Sequence, residues 1–198
     1  MKIRNIIAVI SLIALAGIAV KLLPAVYTSP DHTESDSIPS AYHITEKDVP
    51  ITAQTAGRCA AYSCAYVLRY FGDEQVSGSD PSVQTDRESG FVPPSNVAKT
   101  LRKHGCEAKA YHGTTDTLKQ RIAQGNPVIV FIRIPHDTHY AVVTGYDEDS
   151  FYLADPMTEN ANADEKMYNR VIGAGEFEEL WKTGTLLDNN IYIAVTDK

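Results

Sequence analysis

This 198-residue chain carries three cysteines, Cys59, Cys64 and Cys106. Two of them fall in the stretch 59-CAAYSCAYVLRYFG-72, where Ala61, Cys64, Ala65, Leu68 and Phe71 recur at helical spacing and Gly72 supplies a stop. That puts Cys59 in the first turn of a predicted helix. A helix start favours negative charge, so a thiol there ionises more readily and gains nucleophilicity. Cys64 lies five residues on, about 140° round the helix, so the two cannot form a disulfide while the helix holds. It belongs to the apolar stripe and reads as packing, and Cys106, opening a strand, reads as buried too. Cys64 could pair only with Cys106, which leaves Cys59 free as the candidate nucleophile.

A thiol nucleophile needs a base to take its proton and a group to orient that base. His139 stands just after 135-PHDT-138, at the expected start of a strand and near a sheet edge. Asp155 ends the next strand of the same hairpin, 139-HYAVVTGY-146 with 151-FYLAD-155. Parity decides whether they can meet. A regular two-residue turn at Glu148-Asp149 would set Asp155 opposite Val142, on the wrong face. A three-residue turn, or a bulge, would set it opposite Ala141, on the face of His139. A working Cys-His-Asp arrangement therefore predicts an odd turn or a bulge in this hairpin. His136 and His139 alone do not make a metal site, since no second cluster has ligand spacing. His43, His104 and His112 read as surface residues, and Tyr140 as a groove-lining candidate.

The elements that must hold these groups follow from periodicity and punctuation. After the Cys59 helix comes a polar, turn-rich segment, 73–94, either a covering loop or the home of a short helix. Ser95 is a candidate cap for a helix running to His104, with Gly105 as its stop. Strand 106–111, helix 116–124, the β-rich run 127-PVIVFIRI-134 and the hairpin follow. The loop 157–172, a helix at 176-EFEELWK-182 and a last strand at 191-IYIAV-195 complete the chain. One helix followed by a mostly antiparallel sheet is an α+β domain.

The blocks Q-x-x-x-x-C-A-A-x-S-x-A-x-V-L-R-Y-F-G, G-N-P-V-I-V, H-Y-A-V-V-T-G-Y-D and L-A-D-P resemble the C39-like family of papain-type cysteine peptidases, over most of residues 50–196. The resemblance implies a papain-like fold, a peptide or protein substrate, no cofactor, Cys59 as nucleophile, His139 as base and Asp155 as its orienter. It also implies that Gln54 helps the Cys59 backbone N–H form an oxyanion hole. Two features depart from the pattern: Ala60-Ala61 stand where the family usually has Gly-Pro, and Gln54 is one residue nearer the cysteine than expected. A peptidase-like module that has lost its chemistry and binds a peptide or partner at the cell surface is the alternative those departures keep open. Acyl transfer to an amine is a third.

Bulk properties bound the rest. At 43% hydrophobic, the chain has material for one core, and a net charge of −7 excludes a basic nucleic-acid footprint. Lys2 and Arg4 precede an apolar run, 6-IIAVISLIALAGIAV-20, the layout of a signal peptide or, if uncleaved, of a membrane anchor over residues 1–23. Residues 24–40, rich in Ser, Thr, Pro and acid, read as a flexible linker. Residues 41–198 are then the domain, expected to be extracytoplasmic and monomeric.

Overall fold

A computed structural model describes residues 29–30, 37–45, 47–55, 57–85, 92–183 and 189–197. The expected signal or anchor segment lies outside the described residues, as does most of the linker. Among the described residues no helix is long and apolar enough to cross a membrane.

Among the described residues, an eight-stranded sheet and four α-helices make up the domain. In chain order they are β1 (Ser29–Pro30), β2 (Tyr42–His43), α1 (Cys59–Tyr70), α2 (Pro94–Lys103), β3 (Glu107–His112), α3 (Thr115–Ala123), β4 (Val128–Ile134), β5 (Asp137–Tyr146), β6 (Ser150–Ala154), β7 (Arg170–Gly173), α4 (Ala174–Trp181) and β8 (Ile191–Thr196). The strand order is β1-β3-β8-β4-β5-β6-β7, and all pairs are antiparallel except β1 with β3. The short β2 pairs with the end of β5 at Tyr146 and Gly145, beyond the reach of β4. Helix followed by antiparallel sheet is the α+β architecture expected from the sequence.

Helix α1 is the centre of the packing. Residues 60 to 68 and Tyr70 are all buried, so the apolar stripe of the sequence is wider than one face. The sheet, α2 and the 3-10 turn Pro81–Val83 all pack against it. That turn, capped by Asp80, is the short helix hidden in the polar segment after Gly72. Cys64, fully buried, and Leu68 sit in the core as expected, each aliphatic side chain contributing about 2 kcal/mol by burial. All three cysteines are free thiols.

Helix α2 starts two residues earlier than expected. Pro94 is its first residue, so Ser95 lies within the first turn instead of capping it. The fixed φ of Pro94 suits a helix start, and Pro93 before it is extended. Strand β5 also begins early, at Asp137, because Pro135-His136 make a tight turn with His136 in the left-handed region at φ 68°. His139 is consequently the third residue of the strand, paired with β4 on one side only, and at 1% exposed it is buried all the same.

The hairpin β5–β6 contains the irregularity that parity demands. Tyr146 pairs with Phe151 and Gly145 with Tyr152, but Val143 pairs with Leu153 and Val142 with Ala154. Thr144 is the extra residue. The turn itself is the regular one, with Asp147 N–H donating to Ser150 O at 2.9 Å. The bulge shifts the register by one, and carried one step further that register sets Asp155 opposite Ala141, on the face of His139.

Candidate active site

Strand β6 pairs with β5 only as far as Val142, leaving the first half of β5 open on that side. The start of α1 occupies the gap: Ser63 Oγ donates to Tyr140 O at 3.1 Å, and the Cys59 thiol meets the backbone of Tyr140. The helix is thus fastened beside the strand that carries His139, one turn from the cysteine.

His139 is held from its far side. Nε2 lies 2.6 Å from Asp155 Oδ1. An anionic carboxylate only accepts hydrogen bonds, so Nε2 carries the hydrogen and Nδ1 keeps the lone pair of the neutral ring. Nδ1 is buried and has no hydrogen-bond partner among the described residues, and the Cys59 thiol is the group coupled to it.

The electrostatics follow from this arrangement. Burial alone raises the Cys59 pKa, but the coupling to His139 and its charge, with the backbone of Tyr140 and Ala60, outweigh it and hold the thiol below its ordinary value. Burial also disfavours the His139 imidazolium, yet Asp155 and Cys59 together push its pKa up to about 9. Those directions favour a thiolate–imidazolium pair near neutrality. Cys64, by contrast, is pushed well up by burial and, to a lesser degree, by Cys106.

Asp155 is fully buried and has four donors besides its own backbone contacts. Oδ1 accepts from His139 and from Met157 N–H at 2.8 Å, while Oδ2 accepts from Arg170 Nη1 at 2.9 Å and Asn160 Nδ2 at 3.2 Å. The Asn169 side chain brackets the Asp155 backbone, accepting from its N–H at 2.8 Å and donating to its carbonyl at 2.9 Å. Burial pulls the carboxyl upward, but His139, Met157 N–H and Arg170 keep it below the usual carboxylate range. Arg170, Asn160 and Asn169 were not readable from the sequence. They come from the loop 157–172, which hides the 3-10 turn Thr158–Asn160 and the start of β7.

Cys59 and His139 open onto a cleft of about 590 Å³, lined also by Gln54, Arg58, Gln84, Thr85 and Met157. Gln54, the expected oxyanion residue, therefore reaches the same cleft despite its altered spacing. Its N–H donates to Pro156 O at 2.8 Å, tying it to the residue after Asp155. Its Oε1 is buried with no partner among the described residues, so no protein contact to that oxygen opposes turning the amide to present Nε2 to a ligand. Tyr140 lines the cleft as expected but is 2% exposed, its hydroxyl donating to Val92 O. His136 is exposed in the turn and His139 buried at the cleft, so the two do not converge as a metal pair.

With the cleft and its cysteine in place, the comparisons with known proteins are decisive. The model of the Peptidase_C39 like family matches residues 46–185. The chain belongs to this family. It is accordingly a cysteine peptidase by family, and the fold agrees. A C39-like peptidase from Bacillus anthracis superposes with a TM-score of 0.59 at 18% identity, covering 79% of this chain and 98% of that one. The peptidase domain of Streptococcus ComA, a bifunctional ABC transporter of a quorum sensing pathway, gives 0.58 at 15%, covering 77% and 100%. A double glycine motif protease of an AMS/PCAT transporter, solved in complex with the leader peptide, gives 0.56 at 22%, covering 79% and 94%. No curated protein matches the chain significantly. Ala60 and Ala61, the departure from the family pattern, are both buried and line the cleft beside Cys59.

Proposed function

We propose that this C39-like protein hydrolyses a peptide amide bond with Cys59 as nucleophile, His139 as acid and base, and Asp155 as the group that orients and charges His139. The observation that carries the reading is the fixed imidazole: Nε2 is fastened to buried Asp155, and Nδ1 is left to the Cys59 thiol.

The Cys59 thiolate adds to the substrate carbonyl carbon, and the carbonyl electron pair moves to oxygen. The backbone N–H of Cys59, at the open start of α1, and the Gln54 amide stabilise that oxyanion. The His139 imidazolium gives its Nδ1 proton to the leaving amine, the C–N bond breaks, and a thioester remains. Nδ1 then takes a proton from water, the hydroxide adds, and the thiolate leaves, restoring the ion pair. No step requires a metal or cofactor. The N-terminal charge and apolar run support an extracytoplasmic location, with residues 1–23 as signal or anchor and residues 41–198 as a monomeric domain.

The test is the pH dependence of iodoacetamide alkylation at Cys59 in wild type and His139→Ala. Expected is fast alkylation persisting well below pH 7 and lost in the variant. An ordinary thiol profile near pH 8.5, unchanged by the substitution, would overturn the reading.

A further inference from the structure

Four buried side-chain polar atoms lack a hydrogen-bond partner among the described residues, and three of them line the same cleft: Gln54 Oε1, Arg58 Nη2 and His139 Nδ1. Buried polar groups are nearly always bonded, so such a cluster calls for a cause. His139 Nδ1 is coupled to the thiol and Gln54 belongs to the expected oxyanion site. The fourth atom, Arg69 Nε, sits in a guanidinium whose other nitrogens bond Val76 O, Pro50 O and Thr52 Oγ1. Arg58 has no such anchorage. It makes no ion pair and no side-chain hydrogen bond among the described residues, although it is half-buried in a chain with 25 acidic and 18 basic side chains.

Other arginines of the domain are satisfied internally, Arg170 by Asp155, Arg102 by Ala108 O and Arg133 by Glu179 O. Arg58 is adjacent to the nucleophile in sequence and forms the wall of the cleft beside it. A guanidinium offers a planar fork of donors matched to a carboxylate. Leaving it unpaired and partly dehydrated is unfavourable in the empty cleft, and a carboxylate arriving there recovers the lost bonds. Asp137, also on the cleft wall, is exposed and forms no ion pair with Arg58 among the described residues.

We propose that Arg58 is a specificity residue that binds a substrate carboxylate next to the scissile bond, so that the preferred substrates are peptides acidic at that point. The proposal rests on the reading of this cleft as the substrate site. The carboxylate belongs either to an Asp or Glu side chain or to the C-terminus of a short peptide.

Two alkylating probes test it without knowledge of the natural substrate. Iodoacetate and iodoacetamide react with the same thiolate, but only the first brings a carboxylate alongside it. Their rate ratio, divided by the ratio for free cysteine, cancels changes in Cys59 ionisation. Expected is a ratio above one in the wild type, reduced about tenfold in Arg58→Gln and partly kept in Arg58→Lys, which retains charge without the fork. A ratio unchanged between wild type and Arg58→Gln overturns the proposal. Should Arg58→Gln fail to fold, a wild-type ratio no higher than that of free cysteine, or one equal in Arg58→Lys, overturns it instead. Fluorescence-quenched peptide pools with Glu or Gln fixed near the cleaved bond, and with free or amidated C-termini, then separate the two sources of carboxylate. Preference for neither also overturns it. Failure of the peptidase reading has a different signature: ordinary iodoacetamide reactivity in the wild type itself.

Discussion

At the scale of single residues, Asp155 is more heavily supported than orientation of an imidazole would require. A neutral acceptor could hold Nε2; what burial resists is the negative charge, and Arg170, Met157 N–H and Asn160 keep that charge in place. Asp155→Asn should therefore separate orientation from charge. The amide oxygen can still accept from Nε2, but the anion that raises the His139 pKa is gone. The imidazolium then loses its proton at lower pH, and the alkaline limb of kcat/KM moves down from about 9 toward the ordinary histidine value of about 6.5. The variant also leaves Arg170 without its partner, so a loss of stability on the order of 3 kcal/mol is expected beside the kinetic change. A pH–rate profile with the alkaline limb unmoved would show that Asp155 does not charge His139. The proposed nucleophile, base and orienter, which the structure brings to one place, could be picked out in the sequence because each has a rare residue type at a defined place: a helix start, a strand, a strand end. Arg170 and Asn169 were not. Their role depends on β7 lying beside β6, and a four-residue strand inside a polar loop has too little periodicity to announce itself.

At the scale of elements, the hairpin β5–β6 shows how far pattern reading reaches. Counting residues required an odd turn or a bulge, and the bulge at Thr144 is the solution found. Its place could not be read from the sequence, because Thr144 is held by contacts remote in sequence, donating to Met167 O at 3.0 Å. The depth of His139 was misjudged for a related reason: a strand's start is visible, but the helix α1 that covers its open side is not. Next to the bulge, Gly145 meets β2 closely. A Cβ there would come within 2.8 Å of His43 Nδ1 and 3.0 Å of Tyr42 O. Gly145→Ala should thus loosen β2 from β5, lowering stability by about 1–3 kcal/mol with an unchanged urea m-value. An urea midpoint equal to that of wild type would mean that β2 is not clamped as the distances indicate.

For the whole molecule, the coupled pair makes a distinctive statement about stability and pH. In the unfolded chain between about pH 6.5 and 8.5 the thiol holds one proton and the imidazole none. In the folded chain the lowered Cys59 and the raised His139 favour the opposite arrangement, and where the thiolate–imidazolium pair forms the count is again one. Each group alone would tilt the curve: the raised histidine contributes stability present below its unfolded pKa and lost as pH rises toward 9. The depressed thiol contributes stability present above its unfolded pKa and lost as pH falls. Together they cancel, and this pair leaves stability flat across the window. Cys59→Ser removes the thiol half. His139 loses the Cys59 contribution but still faces Asp155; where Asp155 keeps its pKa raised, the folded chain holds a proton that the unfolded chain does not, and stability should fall with rising pH by up to about 1.4 kcal/mol per unit. Urea midpoints of both proteins at several pH values between 6.5 and 9 measure the difference directly, every other titrating group being common to the two. Parallel curves would show that Asp155 alone does not keep His139 protonated and that the Cys59 charge is needed to raise it.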